Sequence, residues 1–306
     1  MHFEPVLGMT EPHWHVLGAG AIGSLFAQGL HRSGSATTLI MRRGTQARSL
    51  AVVVERDAQR CEDRLPVITP DDSALISHLL VTTKAYDVQS AVAGVAHLLA
   101  DHCVVVLLVN GMGLSAQLGE AWPNLNIYCG TTTEGAYNIA AQHICHAGRG
   151  ETRIGREGQS EPPAWFKHWT RATSNCVWDS AINAALWSKL AVNCIINPLT
   201  AIHGCRNGEL ARRSELAAQV DILCDEVTAI SRAAGFADIA DQLKTTVSAV
   251  IAGTADNRSS MLQDVAAGRH TEIDYITGYL LQVAEQHGIQ APHNKSLLER
   301  IHNRAQ

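Results

Sequence analysis

Lysine is nearly missing from this chain. Only five of its 306 residues are lysine (Lys84, Lys167, Lys189, Lys244 and Lys295), and charged residues of all kinds make up 17%, against about 25% in an ordinary globular protein. So little charge beside 46% apolar residues excludes a disordered chain. A basic excess is absent too: 24 Lys plus Arg face 29 Asp plus Glu, a net charge of −5. That argues against a protein built around a nucleic-acid or anionic-membrane surface. The cysteines, eight in number, form no C-x-x-C pair and no Cys/His cluster at zinc-finger spacing, so no metal is expected. They read as reduced thiols in a cytoplasmic protein, with Cys194 and Cys224 as small core residues. Long apolar runs are also lacking. The longest, Cys103 to Val109, is far short of the roughly 20 residues a membrane helix requires, and Glu4, Glu11 and several histidines break up any secretory pattern.

What is present falls into two parts. The length predicts two domains at roughly 100 to 200 residues each. From His13 to Gly155, short apolar runs alternate with helical patterns in the manner of βαβ units. Expected strands are His13–Leu17, Thr37–Met41, Leu79–Thr83, Val104–Val109 and Asn126–Cys129, with helices over Ile22–Arg32 and Val88–Ala100. The stretch from Cys145 to Pro163 reads as strand ends and a surface loop. Beyond Asp179 helical patterns dominate: Ala181–Ile202, Glu215–Ala234, Asp238–Ala252 and Thr271–His287. The expected fold class is α/β: a Rossmann-like parallel-sheet domain over 1–179, whose residues 1–12 are an extension, then an all-helical domain over 180–306.

The first strand runs into Gly18-Ala19-Gly20-Ala21-Ile22-Gly23, a G-x-G-x-x-G between strand and helix. Gly18 permits the tight turn, Gly20 a close approach to a pyrophosphate, and Gly23 close packing of the helix. NAD sites place an acid at the end of the second strand to bind the ribose 2′-hydroxyl. Here that strand ends in Arg42 and Arg43, which can pair with a 2′-phosphate; the alternative is an ordinary solvated strand end. NADP(H) is therefore the expected cofactor. Lys84 stands at the carboxyl end of another parallel strand and offers a second phosphate contact. Asn110, before Gly111, is either a turn former or a contact to nicotinamide or substrate.

The segment LWSKLAVNCIINP, residues 186–198, carries the chemistry. Lys189, Asn193 and Asn197 recur every fourth residue and share one helical stripe. A solvated face is excluded, because Ile182, Leu186, Leu190 and Ile196 share the sector while Ala184, Ala191 and Ile195 lie opposite. A helix apolar all round is buried, and a buried lysine and two amides need partners. An ammonium facing a carbonyl that receives hydride donates the proton and stabilises the developing alkoxide. Asparagine amides suit hydroxyl and carboxylate recognition. Two polar patches, Asn257–Asp264 and His270–Tyr275, flank Gly268. Thr271 is an expected helix cap, which leaves Glu272 either compensating the helix dipole or holding the lysine, cofactor or substrate.

With these residues in view the chain resembles the ketopantoate reductase (2-dehydropantoate 2-reductase) family from about residue 14 to residue 303. The matching stretches are HVLGAGAIG (15–23), VTTKA (81–85), NGMG (110–113), GTTT (130–133), LWSKLAVNCIINPLTAI (186–202), NGEL (207–210), SSMLQD (259–264) and RHTEIDY (269–275). The resemblance implies an NADPH-dependent reduction of 2-ketopantoate to (R)-pantoate, a step of pantothenate and coenzyme A synthesis. It also implies a helical domain like the C-terminal domain of 6-phosphogluconate dehydrogenase. By position it makes Lys189 the proton donor. Asn193, Asn197, Asn207 and Ser260 become substrate ligands, with Asn257 nearby. Asn110 and Ala136 become cofactor contacts, Arg42 and Lys84 the partners of its 2′-phosphate end, and Glu272 a contact to cofactor and lysine. The extension before the first strand is the departure from the pattern. The expected ligand is a small 2-keto acid, with no nucleic-acid or membrane partner, and the chain is expected to be a monomer or homodimer. The competing readings are a reductase of another small 2-keto acid and a non-catalytic NADP(H)-binding protein.

Overall fold

A computed structural model describes residues 11–173 and 175–304. The extension expected over residues 1–12 therefore lies outside the described residues except for its last two, of which Glu11 pairs with Lys167 and His168. The chain divides into two compact units: residues up to Val109 with Ser115–Ile182, and Asn110–Leu114 with Asn183 onward.

The first unit contains β1 (Trp14–Leu17), α1 (Ala21–Arg32), β2 (Thr37–Ile40), β3 (Ser49–Arg56), β4 (Gln59–Ile68), β5 (Ile76–Val81), α2 (Val88–Val95), β6 (Leu99–Leu108), α3 (Leu114–Ala121), β7 (Asn126–Thr132), β8 (Gly135–Ala140), β9 (His143–Gly148), β10 (Thr152–Gly155), α4 (Phe166–Ala172) and β11 (Cys176–Trp178). Its centre is five parallel strands in the order β7-β6-β5-β1-β2. The chain leaves β1 toward β2 and returns to β5 on the other flank, so the switch point of the sheet lies between β1 and β5, the place where such sheets bind ligands. All residues of β1 and β2 are buried, as strands covered on both faces must be.

The expected parallel core is present, and antiparallel pairings are added around it. β4 runs antiparallel to β3, β8 antiparallel to β9, and β10 antiparallel to β7. The β3–β4 hairpin turns on Asp57 and Ala58, both with positive φ (51° and 62°). A two-residue hairpin loop of that kind normally announces itself by Asn-Gly or Asp-Gly; with alanine in the second place the signal is lost. Of the stretch from Cys145 to Pro163, expected as strand ends and a surface loop, the first part supplies most of β9 and all of β10, and residues 156–163 are loop. The helix expected over Val88–Ala100 stops at Val95, passes through a 3₁₀ turn and becomes β6 at Leu99, since an apolar run does not by itself distinguish helix from buried strand. Helix α1 packs against the sheet and against β8, β9 and α4, burying Phe26, Ala27 and Leu30 in a core with Trp14, Val54, Ile144 and Trp169.

Under the amino-terminal edge of this sheet lies a group of histidines. His13 stacks on His15 at 4.3 Å, and His78 meets the edge of Trp14. Burial, and then the charges of neighbouring histidines, push His15 down to about 4; burial, with His168 and His13, does the same to His78. Folded-state values below the unfolded 6.5 mean that these rings favour the fold while neutral. Their contribution is present above pH 6.5 and is lost as pH falls from 6.5 to 4. Urea midpoints should decline across that window, and His78→Leu, with nothing to protonate, should decline less steeply. An unchanged slope would show that His78 does not report on folding.

The second unit contains α5 (Ile182–His203), α6 (Glu209–Arg212), α7 (Ser214–Ala233), α8 (Ala237–Gly253), α9 (Ser260–Ala266), α10 (Tyr279–Gln286) and α11 (Pro292–His302). Helix α5 is its axis. By length and composition it could cross a membrane, but 72% of its apolar window is buried inside the protein. The count of uninterrupted apolar residues overlooks it because Lys189, Asn193 and Asn197 break the run. Trp187, 1% exposed, stacks on Phe236 and donates its indole N–H to Ser231 Oγ at 2.9 Å. Glu226 of α7 accepts the backbone N–H groups of His293 and Asn294 at 2.8 and 2.9 Å, satisfying first-turn donors of α11. Cys194 and Cys224 sit in this core. Burial raises both thiols, Cys224 to about 11, so they are protonated packing groups. All eight cysteines are free thiols.

Candidate functional site

In the first unit the glycine loop is built by contacts that only glycine allows. Gly18 has φ +107°, and a Cβ there would lie 2.6 Å from Thr83 N. A Cβ on Gly23 would fall 2.0 Å from Gly18 O and 2.4 Å from Thr82 Oγ1. Gly20 differs: a Cβ on it would meet nothing within 4 Å. Two glycines are therefore required by packing and the third leaves open space above the start of α1. That helix has no side-chain cap and no acid in its first turn, so the amides of Ala21, Ile22 and Gly23 have no partner within the helix and its positive end is uncompensated. The cradle fits a pyrophosphate. Thr82, just beyond β5, ties the loop down: its hydroxyl donates to Gly18 O at 2.7 Å and its amide to Leu17 O at 2.9 Å.

Arg42 and Lys84 follow β2 and β5, at the same edge of the sheet as the glycine loop. The two strand-end arginines separate here. Arg43 pairs with Asp71, whereas Arg42 is exposed and has no acidic partner among the described residues. Arg42 is the one uncommitted for a phosphate. Lys84 is half-buried at the start of a 3₁₀ turn. Ala136 lies in β8, paired with His146 of β9, on the part of the sheet that packs on α1.

In the second unit Lys189, Asn193 and Asn197 ride on α5, whose Leu190, Ala191, Cys194, Ile195 and Ile196 are all buried. Lys189 and Asn193 are partly buried and Asn197 is 7% exposed. Burial lowers the Lys189 ammonium to about 8, with the nearby Glu272 carboxylate pulling the other way. A lysine so placed is protonated at neutral pH and gives up its proton far more readily than one in water.

Glu272 is 5% exposed and accepts a hydrogen bond at 3.2 Å from Asn110 Nδ2. The expected Thr271 cap does not form. Helical structure begins after Glu272 and opens as a π-turn over Asp274–Gly278 without a side-chain cap, a distortion that often marks functional positions. Glu272 is thus not a solvated first-turn acid. Gly111 explains its meeting with Asn110. With φ +87°, a Cβ there would be 2.4 Å from Tyr275 O, and the next amide, Met112 N, donates to that same carbonyl at 3.2 Å. The segment 110–112 lies flat on the π-turn, and Asn110 reaches the carboxylate.

The remaining predicted ligands surround two turns. Asn207 N donates to Asn257 O and Gly208 N to Ala255 O, each at 3.0 Å. The Asn207 side chain is 7% exposed, while Asn257 and Ser260 are exposed. Ser259, not Ser260, caps α9: its Oγ accepts from Leu262 N at 3.0 Å and lies 2.6 Å from Thr200 Oγ1. Thr200 in turn donates to the carbonyl of Ile196 at 2.8 Å, linking α9 to the helix that carries the lysine. Thr82, Thr200, Thr254 and Ser259 are supporting residues with no periodicity or spacing that would single them out. Among the described residues no cluster of three or more His, Cys, Asp or Glu could hold a metal ion.

Comparison with known proteins accounts for nearly the whole chain. Residues 14–159 match the family model described as ketopantoate reductase PanE/ApbA, and residues 181–305 match its C-terminal counterpart. The 2-dehydropantoate 2-reductase of Vibrio cholerae is 36% identical over 288 residues, covering 94% of this chain and 95% of that protein. Among solved structures, the PanE/ApbA family ketopantoate reductase of Ralstonia eutropha superposes with a TM-score of 0.83 at 25% identity, covering 96% of this chain and 98% of that one. D-mandelate dehydrogenase in its ternary structure with NADH and anilino(oxo)acetate gives a TM-score of 0.86 at 23% identity, with 96% and 98% covered, a likeness of fold.

Proposed function

We propose that this chain, which belongs to the ketopantoate reductase family, reduces 2-dehydropantoate to (R)-pantoate with NADPH, a step toward pantothenate and coenzyme A. The observation that carries the reading is the Lys189 ammonium on an apolar helix, its acidity raised by burial and its charge offset by Glu272. NADPH held by the first unit would supply a hydride for the C2 carbonyl carbon. The protein supplies the rest. Lys189 Nζ donates the proton that the C2 oxygen acquires, so that ketone, hydride and proton sum to the alcohol. Before that transfer the ammonium stabilises negative charge on the oxygen. Glu272, held by Asn110, keeps the ammonium charged, and Asn193, Asn197, Asn207, Asn257 and Ser260 bind the carboxylate and hydroxyl groups.

The glycine cradle, Ala136 and Lys84 are assigned to the cofactor, with Arg42 on its 2′-phosphate. Arg42→Ala should raise the KM for NADPH about 10- to 100-fold, the worth of a hydrogen bond between charged groups, and leave that for NADH nearly unchanged. Equal effects on the two cofactors would remove Arg42 from 2′-phosphate recognition. Free thiols throughout support a cytoplasmic location.

The deciding experiment is NADPH consumption by purified protein with 2-dehydropantoate and a panel of other small 2-keto acids. Preference for 2-dehydropantoate is expected. Preference for another acid would keep the chemistry and replace the substrate, and NADPH binding without reduction of any would leave a non-catalytic binding protein.

A further inference from the structure

Asn207 carries an unresolved half. It is 7% exposed, its Nδ2 donates to Thr254 Oγ1 at 2.9 Å, and its Oδ1 is buried with no hydrogen-bond partner among the described residues. A buried acceptor left without a donor is costly and calls for an explanation. The simple escape would be to rotate the amide by half a turn, so that Oδ1 faces Thr254. The neighbouring bond forbids it. Thr254 Oγ1 lies 2.6 Å from Val250 O, and a carbonyl cannot donate, so the single hydroxyl proton of Thr254 is committed there. Toward Asn207 the threonine offers only lone pairs. It therefore accepts from Nδ2 and holds Oδ1 away from itself.

The backbone that carries the amide is itself held in place. Asn207 N and Gly208 N are bonded to Asn257 O and Ala255 O, and a Cβ on Gly208 would sit 2.8 Å from that of Ala255. The turn after α8 and the turn before α6 are thus stitched together around the amide. Its orientation is set by one hydroxyl.

We propose that Thr254 is a specificity-determining positioning residue: by fixing the Asn207 amide it presents Oδ1 as an acceptor, which selects a 2-keto acid bearing a hydroxyl. A carboxylate has no proton to give this oxygen, so the substrate's alcohol, not its carboxylate, is the group matched to it. The inference rests on the reductase reading above.

The test compares 2-dehydropantoate with trimethylpyruvate, the same carbon skeleton with hydrogen in place of the hydroxyl, for wild type, Thr254→Val and Thr254→Ser. Wild type should favour the hydroxy acid strongly, because a site built to bond a hydroxyl rejects its deoxy analogue. Thr254→Val, which frees the amide to rotate, should lower kcat/KM about 10-fold for 2-dehydropantoate, the order of one hydrogen bond, with trimethylpyruvate hardly affected. Thr254→Ser, which keeps the hydroxyl, should restore the preference. A merely structural role would lower both substrates together, and that result, or a wild type blind to the hydroxyl, overturns the proposal while leaving the reductase reading intact. Wild type that reduces neither acid overturns the reductase reading and this inference with it.

Discussion

Lys189→Ala is expected to lower kcat for 2-keto acid reduction by about 10² to 10⁴, the usual worth of a positioned general acid, while NADPH affinity stays essentially unchanged. The second half of that expectation separates chemistry from binding, since the cofactor cradle lies on other elements. Thermal unfolding must be measured beside the kinetics. Removing the cation leaves Glu272, 5% exposed, as a buried carboxylate without its counter-charge, and breaking one side of such a pair costs about 3–5 kcal/mol. The double variant Lys189→Met with Glu272→Gln removes both charges and should recover most of that stability without recovering turnover. The pH profile gives an independent reading. With the ammonium as the proposed proton donor, reduction should be flat below the Lys189 value of about 8 and fall about tenfold per unit above it. Glu272→Gln withdraws the charge that raises this value, so the alkaline limb should move to lower pH. A limb near the ordinary 10.5, or turnover unaffected in Lys189→Ala, would take the lysine out of the mechanism.

Much of the architecture could be read from residues whose physics is local. The glycine loop shows in sequence because tight turns and close packing leave no room for a side chain, and the contacts of Gly18 and Gly23 are those the spacing implies. The lysine stripe shows because too many apolar residues surround it for solvent to be its environment, and the burial of Leu190, Cys194 and Ile196 agrees. What could not be read depends on partners distant in sequence. Glu272 looks like a helix-start acid until Gly111 is seen to bring Asn110 against the π-turn. Arg42 and Arg43 are indistinguishable as neighbours; only Asp71, 28 residues beyond Arg43, tells them apart. Asn207 is one asparagine among several, and the direction of its amide is decided by Thr254, 47 positions away. The β3–β4 hairpin was hidden for another reason, a turn made with alanine where glycine would be expected.

Gly20→Ala and Gly23→Ala, one loop apart, should fail in opposite ways. At Gly20 the backbone has φ −79° and ψ −165°, which alanine adopts freely, and the added methyl meets no protein atom within 4 Å. The variant should fold with unchanged or slightly raised stability, because alanine restricts the unfolded chain. The methyl nevertheless stands in the open space above the first amides of α1. Two charge-assisted hydrogen bonds lost to it, at about 1.5–3 kcal/mol each, predict an NADPH Kd raised about 10²- to 10⁴-fold. At Gly23 the methyl would lie 2.0 Å from a backbone oxygen, Gly18 O. Neither the loop nor α1 can yield by rotating a side chain, so the helix must move off the sheet, and overpacking of that kind costs about 1–3 kcal/mol or more. Stability and cofactor binding should fall together. Thermal denaturation with and without NADPH distinguishes the cases, since a ligand that binds only the folded state raises the midpoint. Wild type should show that rise, Gly20→Ala should keep the ligand-free midpoint and lose the rise, and Gly23→Ala should lose both. A Gly20→Ala protein that binds NADPH like wild type would mean the anion does not approach the backbone at this helix start, and the cofactor would have to be placed elsewhere on the first unit.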